Sequence, residues 1–265
     1  MDLFSVESLC VKSIIDDLSF SVSKSDMLAI LCPNNGGKST LIKVLSGVSL
    51  ADSGKILMNG VKVTKRNFKK YIVHIGTVFE DIDNQFLCEK VKDELSFPLI
   101  HLCYDSSVIK EKVETFSSIL KINDLLDKNI SDLSLYEKIR VLIATSIIYE
   151  PEILFLDDIF RNINKKDFQE LMHILENIKI ICNLSIIYTT SSIENIIDLE
   201  NIIVISNGKK TLQGRFSEII LEDNELTKMG FEIPIMVDLS RKLQFYNLID
   251  DIYLDVDSVV NKLWK

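Results

Sequence analysis

Positive charge is what this 265-residue sequence lacks most: 30 Lys and Arg stand against 39 Asp and Glu, a formal net charge of −9. No basic stripe or arginine-rich tract offsets this, so a nucleic-acid partner is not expected. Lys65-Arg66 and Lys69-Lys70 make a small basic cluster, read as a solvated face. The cysteines Cys10, Cys32, Cys88, Cys103 and Cys182 include no C-x-x-C pair. That speaks against a zinc site or a disulfide framework and fits a reducing compartment. No apolar segment approaches the roughly 20 residues that span a bilayer. No charged stretch followed by an apolar run opens the chain, so a secretory signal is not expected. Alanine is scarce (Ala29, Ala51, Ala144), and His74, His101 and His173 are the only histidines. No repeat or low-complexity run is visible. What remains is a chain long enough for a full apolar core, as one large domain or one plus an appendage.

The informative stretch runs from Met27 to Leu45. Leu28 to Leu31 is a short apolar run, as a fully buried strand would be, and Leu41, Val44, Leu45 and Val48 then recur at helical spacing. Between them, Gly36-Gly37-Lys38-Ser39 matches the second half of the phosphate-binding loop G-x-x-x-x-G-K-[ST]. Successive backbone N–H groups and a helix N-terminus favour an anion there. In such a loop Lys38 adds a cation for the terminal phosphates and the Ser39 hydroxyl ligates Mg²⁺. The candidate nucleotide-binding residues are therefore Cys32, Pro33, Asn34, Asn35, Gly36, Gly37, Lys38, Ser39 and Thr40. Two departures stand in the first half. Cys32 occupies the position of the opening Gly, and Asn35 replaces a frequent Gly, a mild change because Asn tolerates left-handed backbone.

The flanking pattern predicts antiparallel strands over 4–22, a helix stop at Gly47 and two short strands around Asn59-Gly60, the strongest short hairpin signal. It predicts a strand over 71–79, helix over 89–121, a helix over 134–149 ended by Pro151, and a buried strand at Ile153-Leu154-Phe155-Leu156. Further on it predicts a helix over 165–178, strands over 184–189, 202–206 and 209–212 with a helix over 193–199 between the first two, and mostly helix from 216. Alternating strands and helices imply a parallel sheet covered on both faces. The apolar strand closing in Asp157-Asp158 about 120 residues after the loop describes a Walker B strand. Asp157 there holds Mg²⁺ through water, and Asp158 stands where a base polarises an attacking water.

Leu45-Ser46-Gly47 with Asp52-Ser53-Gly54-Lys55-Ile56, and Leu133-Ser134 ahead of Pro151-Glu152-Ile153, resemble the corresponding segments of ABC-type ATPases. Val78-Phe79-Glu80-Asp81-Ile82-Asp83-Asn84-Gln85-Phe86, followed by Val91-Lys92-Asp93-Glu94-Leu95-Ser96-Phe97, resembles the Q-loop region of energy-coupling factor (ECF) transporter ATPases. Gly230-Phe231-Glu232-Ile233-Pro234, with Met236, Leu239, Leu243 and Tyr246 beyond it, resembles their tail. The resemblance covers nearly the whole chain. It implies an α/β P-loop NTPase fold of ABC nucleotide-binding type. An antiparallel β subdomain and a helical subdomain near 85–150 lie within a domain 1–215, followed by a helical extension 216–265.

The same resemblance implies an ATPase component, with ATP and Mg²⁺, at the cytoplasmic face of the membrane. It would drive uptake of vitamins or other micronutrients with a second ECF ATPase as heterodimer partner, a transmembrane T component and a substrate-binding S component. Segment 80–86 would meet the membrane partner. Residue by residue, Glu80 takes the Q-loop Gln position, Ser134 the signature serine that donates to a γ-phosphate, Asp158 the catalytic Glu position, Asn164 the D-loop acid and Thr190 the switch His position. Leu135 and Tyr136 replace the two signature glycines. These departures raise an alternative, a catalytically degenerate scaffold subunit of the same complex. Phe4 is a candidate for adenine stacking, and Trp264 is read as a C-terminal packing anchor.

Overall fold

The computed structural model describes residues 2–197, 199–253 and 256–264. Two strands, β1 (Asp2–Val11) and β2 (Ile15–Ser23), pair antiparallel. They lead into β3 (Met27–Leu31), every residue of which is buried. Then come α1 (Lys38–Leu45), β4 (Ser53–Met58), β5 (Val61–Lys62), α2 (Phe68–Ile72) and β6 (Ile75–Val78). The helices α3 (Val91–His101), α4 (Ser106–Ile119) and α5 (Leu135–Ile147) follow without a strand among them. Next are β7 (Ile153–Asp157), α6 (Lys165–Ile181), β8 (Ser185–Thr190), β9 (Ile202–Ser206) and β10 (Lys209–Gly214). The tail holds α7 (Phe216–Ile219), α8 (Asp223–Lys228), α9 (Ile235–Phe245) and α10 (Val256–Leu263).

The strands form two sheets, one of order β2-β1-β4-β5 and one of order β10-β9-β3-β8-β7-β6. In the second, β9, β3, β8, β7 and β6 are parallel and β10 is an antiparallel edge. Strands covered on both faces read as continuous apolar runs, which is why β3, β7, β8 and β9 were legible as such. Period-two alternation then sorts their side chains. Leu28, Ile30, Ile153, Phe155 and Ile187 face a core shared with β1, β2 and α1, where Phe4 packs edge-on against Phe155 at 5.5 Å. Ala29, Leu31, Leu154, Leu156, Ile186 and Tyr188 face the other core, beneath α3 to α6. Because β3, β7 and β8 run parallel, their carboxyl ends open at one edge, the usual place for a ligand in such sheets.

Several expectations change. Phe4 is fully buried and has no face for an adenine ring. The strand expected over 71–79 is β6 alone, because Tyr71 is drawn into α2, where its hydroxyl donates to the Leu45 carbonyl. The long helix expected over 89–121 is broken into α3 and α4. The helix expected over 193–199 is a single tight turn, Ile193–Ile196. Trp264 is 78% exposed rather than packed, and Tyr246 is also exposed, whereas Val237 and Ser240 are the buried positions of α9. The Asn59-Gly60 hairpin forms as expected, both residues having positive φ (51° and 75°).

Candidate functional site

The loop between β3 and α1 is shaped by three local devices. Asn35 adopts φ 61°, the left-handed backbone that Asn tolerates. Gly37 adopts φ 97° and caps α1, and a Cβ placed there would lie 2.5 Å from Ile14 Cγ2. Cys32 is accommodated because its side chain fills the space that Gly36 leaves. A Cβ on Gly36 would lie 2.6 Å from the Cys32 sulfur, and the thiol donates to the Gly36 carbonyl at 3.2 Å. Burial pushes the Cys32 thiol up to about 11, against the pull of Lys38. Cys32 thus serves the site through its carbonyl, its side chain being part of the packing. Asn34 and Asn35 are exposed, and Thr40 is half-buried in the first turn of α1. The first N–H groups of that turn have no intrahelical acceptor, which suits an anion.

Lys38 is nearly buried. Its ammonium donates to the carbonyls of Cys32 (3.3 Å) and Pro33 (3.4 Å) and pairs with Asp158 Oδ2 at 3.4 Å. Asp158 follows the last residue of β7, has φ 48° and is 2% exposed. Apart from that Lys38 contact, its carboxylate oxygens have no hydrogen-bond partner among the described residues. Burial raises its pKa, and Lys38 opposes that rise. Asp157 accepts a hydrogen bond from the Thr189 hydroxyl at 3.1 Å, and the Asp158 N–H donates to the same hydroxyl oxygen at 3.1 Å. Burial raises Asp157 as well, with the Ser39 and Thr189 hydroxyls opposing. Ser39 also donates to Glu80 Oε2 at 3.4 Å, and Arg161 donates to Glu80 Oε1 at 3.0 Å. Lys38, Ser39, Glu80, Asp157 and Asp158 therefore meet at the carboxyl edge of the sheet, joined by Thr189 and Arg161. The strand register places the buried Thr189 in this set, since it pairs with Asp157 across β7 and β8. Nothing in the spacing pointed to Arg161.

The donor set suits a metal–polyphosphate: a hydroxyl, two buried carboxylates and a lysine beside a glycine-bearing loop. The Asp158 oxygens are the specific observation in its favour: both are buried and the Lys38 ammonium at 3.4 Å is their ion-pair partner, which leaves acceptor capacity for further chemistry. Ser39 and Asp157 offer oxygens that could hold Mg²⁺.

Of the remaining expected residues, Thr190 adjoins the loop through its backbone and the others lie apart. Thr190 is fully buried at the end of β8. Its hydroxyl accepts from the Ser192 N–H (3.2 Å) and the Asn195 side chain (3.0 Å), while its carbonyl accepts from the Cys32 N–H at 2.9 Å. Ser134 caps α5 in a reciprocal box: its hydroxyl and N–H both donate to Glu137 Oε2 at 2.8 Å. It lines a cleft of about 450 Å³ with Leu135, Tyr136, Arg140, Asn162 and Asn164, and no residue of the phosphate loop lines that cleft. Tyr136 packs on the core beneath α5 with the Arg140 guanidinium 4.5 Å from its ring centre. Asn164 caps α6 by accepting from the Asp167 N–H at 2.9 Å. Gln85 bonds to the Phe79 N–H and carbonyl at 2.8 and 2.9 Å, tying its own loop together.

Residues 15–161 match the family described as ABC transporter, over more than half of the chain. The chain belongs to the ABC transporter family, and its fold is that family's nucleotide-binding domain. Its similarity extends to one branch. It is 29% identical over 252 residues to the energy-coupling factor transporter ATP-binding protein EcfA1 of Streptococcus thermophilus, spanning 95% of this chain and 91% of that protein. To EcfA1 of Bacillus subtilis it is 30% identical over 251 residues, spanning 94% and 89%. The solved structure of cbiO1 from Clostridium perfringens, described as part of the ABC transporter complex cbiONQ, matches with a TM-score of 0.79 at 26% identity. That match covers 93% of this chain and 99% of the other.

Proposed function

We propose that this chain is the ATP-binding component of an ECF-type transporter, coupling ATP binding and hydrolysis to uptake of a vitamin or other micronutrient. The observation that carries the reading is the convergence of Lys38, Ser39, Asp157 and Asp158 at the carboxyl ends of β3 and β7. Lys38 and the loop backbone bind the phosphates. Ser39 and Asp157 hold Mg²⁺, which when bound offsets phosphate charge. Asp158 orients and deprotonates the attacking water, its raised pKa suiting a proton acceptor. Thr189 fixes the orientation of Asp157 and the turn into Asp158. The catalytic set is Asp158 with Glu80 and Thr190 at the Q-loop and switch positions. Ser134 belongs to the site of a second ATPase subunit packed head to tail. A heterodimer, a T component and an S component complete the complex at the cytoplasmic face of the membrane, and segment 80–86 meets the membrane partner.

A second reading, a nucleotide-binding scaffold with little turnover, is favoured by the Ser134 hydroxyl being donated to Glu137. It is favoured too by Tyr136 standing where close backbone approach is wanted. ATP turnover of the assembled complex with wild type and with Asp158→Asn separates the two. A fall of about 10²-fold or more, the usual worth of a positioned base, supports the ATPase reading. Equal turnover supports the scaffold. Loss of the parent proposal follows if purified chain binds no Mg-nucleotide and Lys38→Ala leaves transport unchanged.

A further inference from the structure

Glu80 and Arg161 are 81 positions apart, yet one carboxylate joins them to the phosphate loop. Oε1 of Glu80 accepts from Arg161 at 3.0 Å, while Oε2 accepts from the Ser39 hydroxyl at 3.4 Å. The turn after β7 aims Arg161 there: Asp158 has φ 48°, and the Arg161 N–H donates back to the Asp158 carbonyl at 3.3 Å. Three carboxylates, Glu80, Asp157 and Asp158, thus face two cations, Lys38 and Arg161. The charge of Glu80 is felt at both aspartates, raising each, and Arg161 opposes the rise at Asp158. Without Arg161, Lys38 alone among the described residues pairs with these carboxylates beside an incoming polyanion.

We propose that Arg161 is a positioning residue for the nucleotide: it clamps the Glu80 carboxylate beside Ser39 and neutralises it, so that polyphosphate binds without a divalent cation having to screen Glu80. This rests on the reading of the site as a nucleotide site. With the clamp removed, Glu80 is an uncompensated charge that repels free polyphosphate. A divalent cation bound with the nucleotide would offset that repulsion by adding positive charge to the site. The loss therefore falls on nucleotide without metal and spares Mg-nucleotide.

The test uses the full chain and a non-hydrolysable ATP analogue, titrated by calorimetry in Mg²⁺ and in EDTA. The readout is the ratio of the two dissociation constants. Arg161→Ala is expected to raise the EDTA-to-Mg²⁺ ratio about tenfold, the size of one charge interaction at a half-exposed site. Arg161→Ala with Glu80→Gln is expected to return it to the wild-type value, and Arg161→Lys to stay near wild type. The ion pair is half-exposed, so its loss leaves the fold intact. A merely structural role would weaken binding equally in both conditions. An unchanged ratio in Arg161→Ala, or a raised ratio that persists in the double variant, overturns the proposal. Wild type that binds no analogue in either condition overturns the nucleotide reading itself, and the clamp with it.

Discussion

Lys38 carries its charge into a nearly buried pocket, and among the described residues Asp158 is the carboxylate that meets it there. Each ion is desolvated, so each depends on the other. Removing one partner of a buried pair costs about 3–5 kcal/mol, because the remaining charge is left uncompensated. Lys38→Ala is expected to lower the unfolding free energy by that order, and Lys38→Ala with Asp158→Asn to recover most of it. Urea unfolding of wild type and both variants measures this, and a double variant no better than the single would exclude the coupling. Asp157 adds a dependence on pH. Burial raises its folded pKa above the unfolded value of about 3.9. The stability from a group shifted this way is complete below the unfolded pKa and is lost as pH rises through the folded one. Asp157→Asn is therefore expected to melt above wild type near neutral pH, the gap closing toward about pH 4. Melting curves across that range check the sign.

Among the elements, α5 starts from Ser134 with Leu135 and Tyr136 in its first turn. Ser134 and Glu137 close a capping box, so the helix is well started without the glycines that the resemblance leads one to expect at 135 and 136. Tyr136 stabilises the turn through its contact with Arg140. Glycine costs about 1 kcal/mol in a helix, and losing a cation–π contact about 0.5–2 kcal/mol. Leu135→Gly with Tyr136→Gly is thus expected to destabilise the chain by about 2–4 kcal/mol. At the same time it should raise ATP turnover in the assembled transporter, if side-chain bulk at the partner's phosphate limits the rate. Denaturation and ATPase measurements on the double variant read the two effects separately. Elements of this kind were legible where one local rule decides: the Asn59-Gly60 turn and the apolar runs of β3 and β7. Tyr71 was misread because its ring is held by α1 and α2, a tertiary contact that overrides the strand-like spacing around it. Thr189 and Arg161 escaped notice for the same reason. Their roles come from a register and an ion pair between segments far apart in the chain.

On the scale of the whole molecule, the apolar core does not stop at residue 215. Phe216, Ile219, Ile220, Leu226, Phe231 and Val237 are buried in the same cluster as Leu31, Leu156 and Val204. Beyond Tyr246 only Ile249 and Val259 are buried among the described residues, with a reciprocal pair of 3.0 Å hydrogen bonds between Ser240 and Tyr253. These two stretches of tail should therefore respond differently to truncation. A fully buried aliphatic or aromatic side chain contributes about 1.5–3 kcal/mol by transfer. Six of them match or exceed the roughly 5–15 kcal/mol by which a native domain is stable. A chain ended after Arg215 is expected to aggregate or remain unfolded. One ended after Tyr246 loses two such side chains and is expected to fold with its Tm lowered by roughly 6–24 °C. Soluble yield and thermal melts of the two truncated chains decide this. A cooperative melt from the chain ended after Arg215 would mean that the sheet and the helices α1 to α6 suffice, and that the tail rests on a core already complete without it.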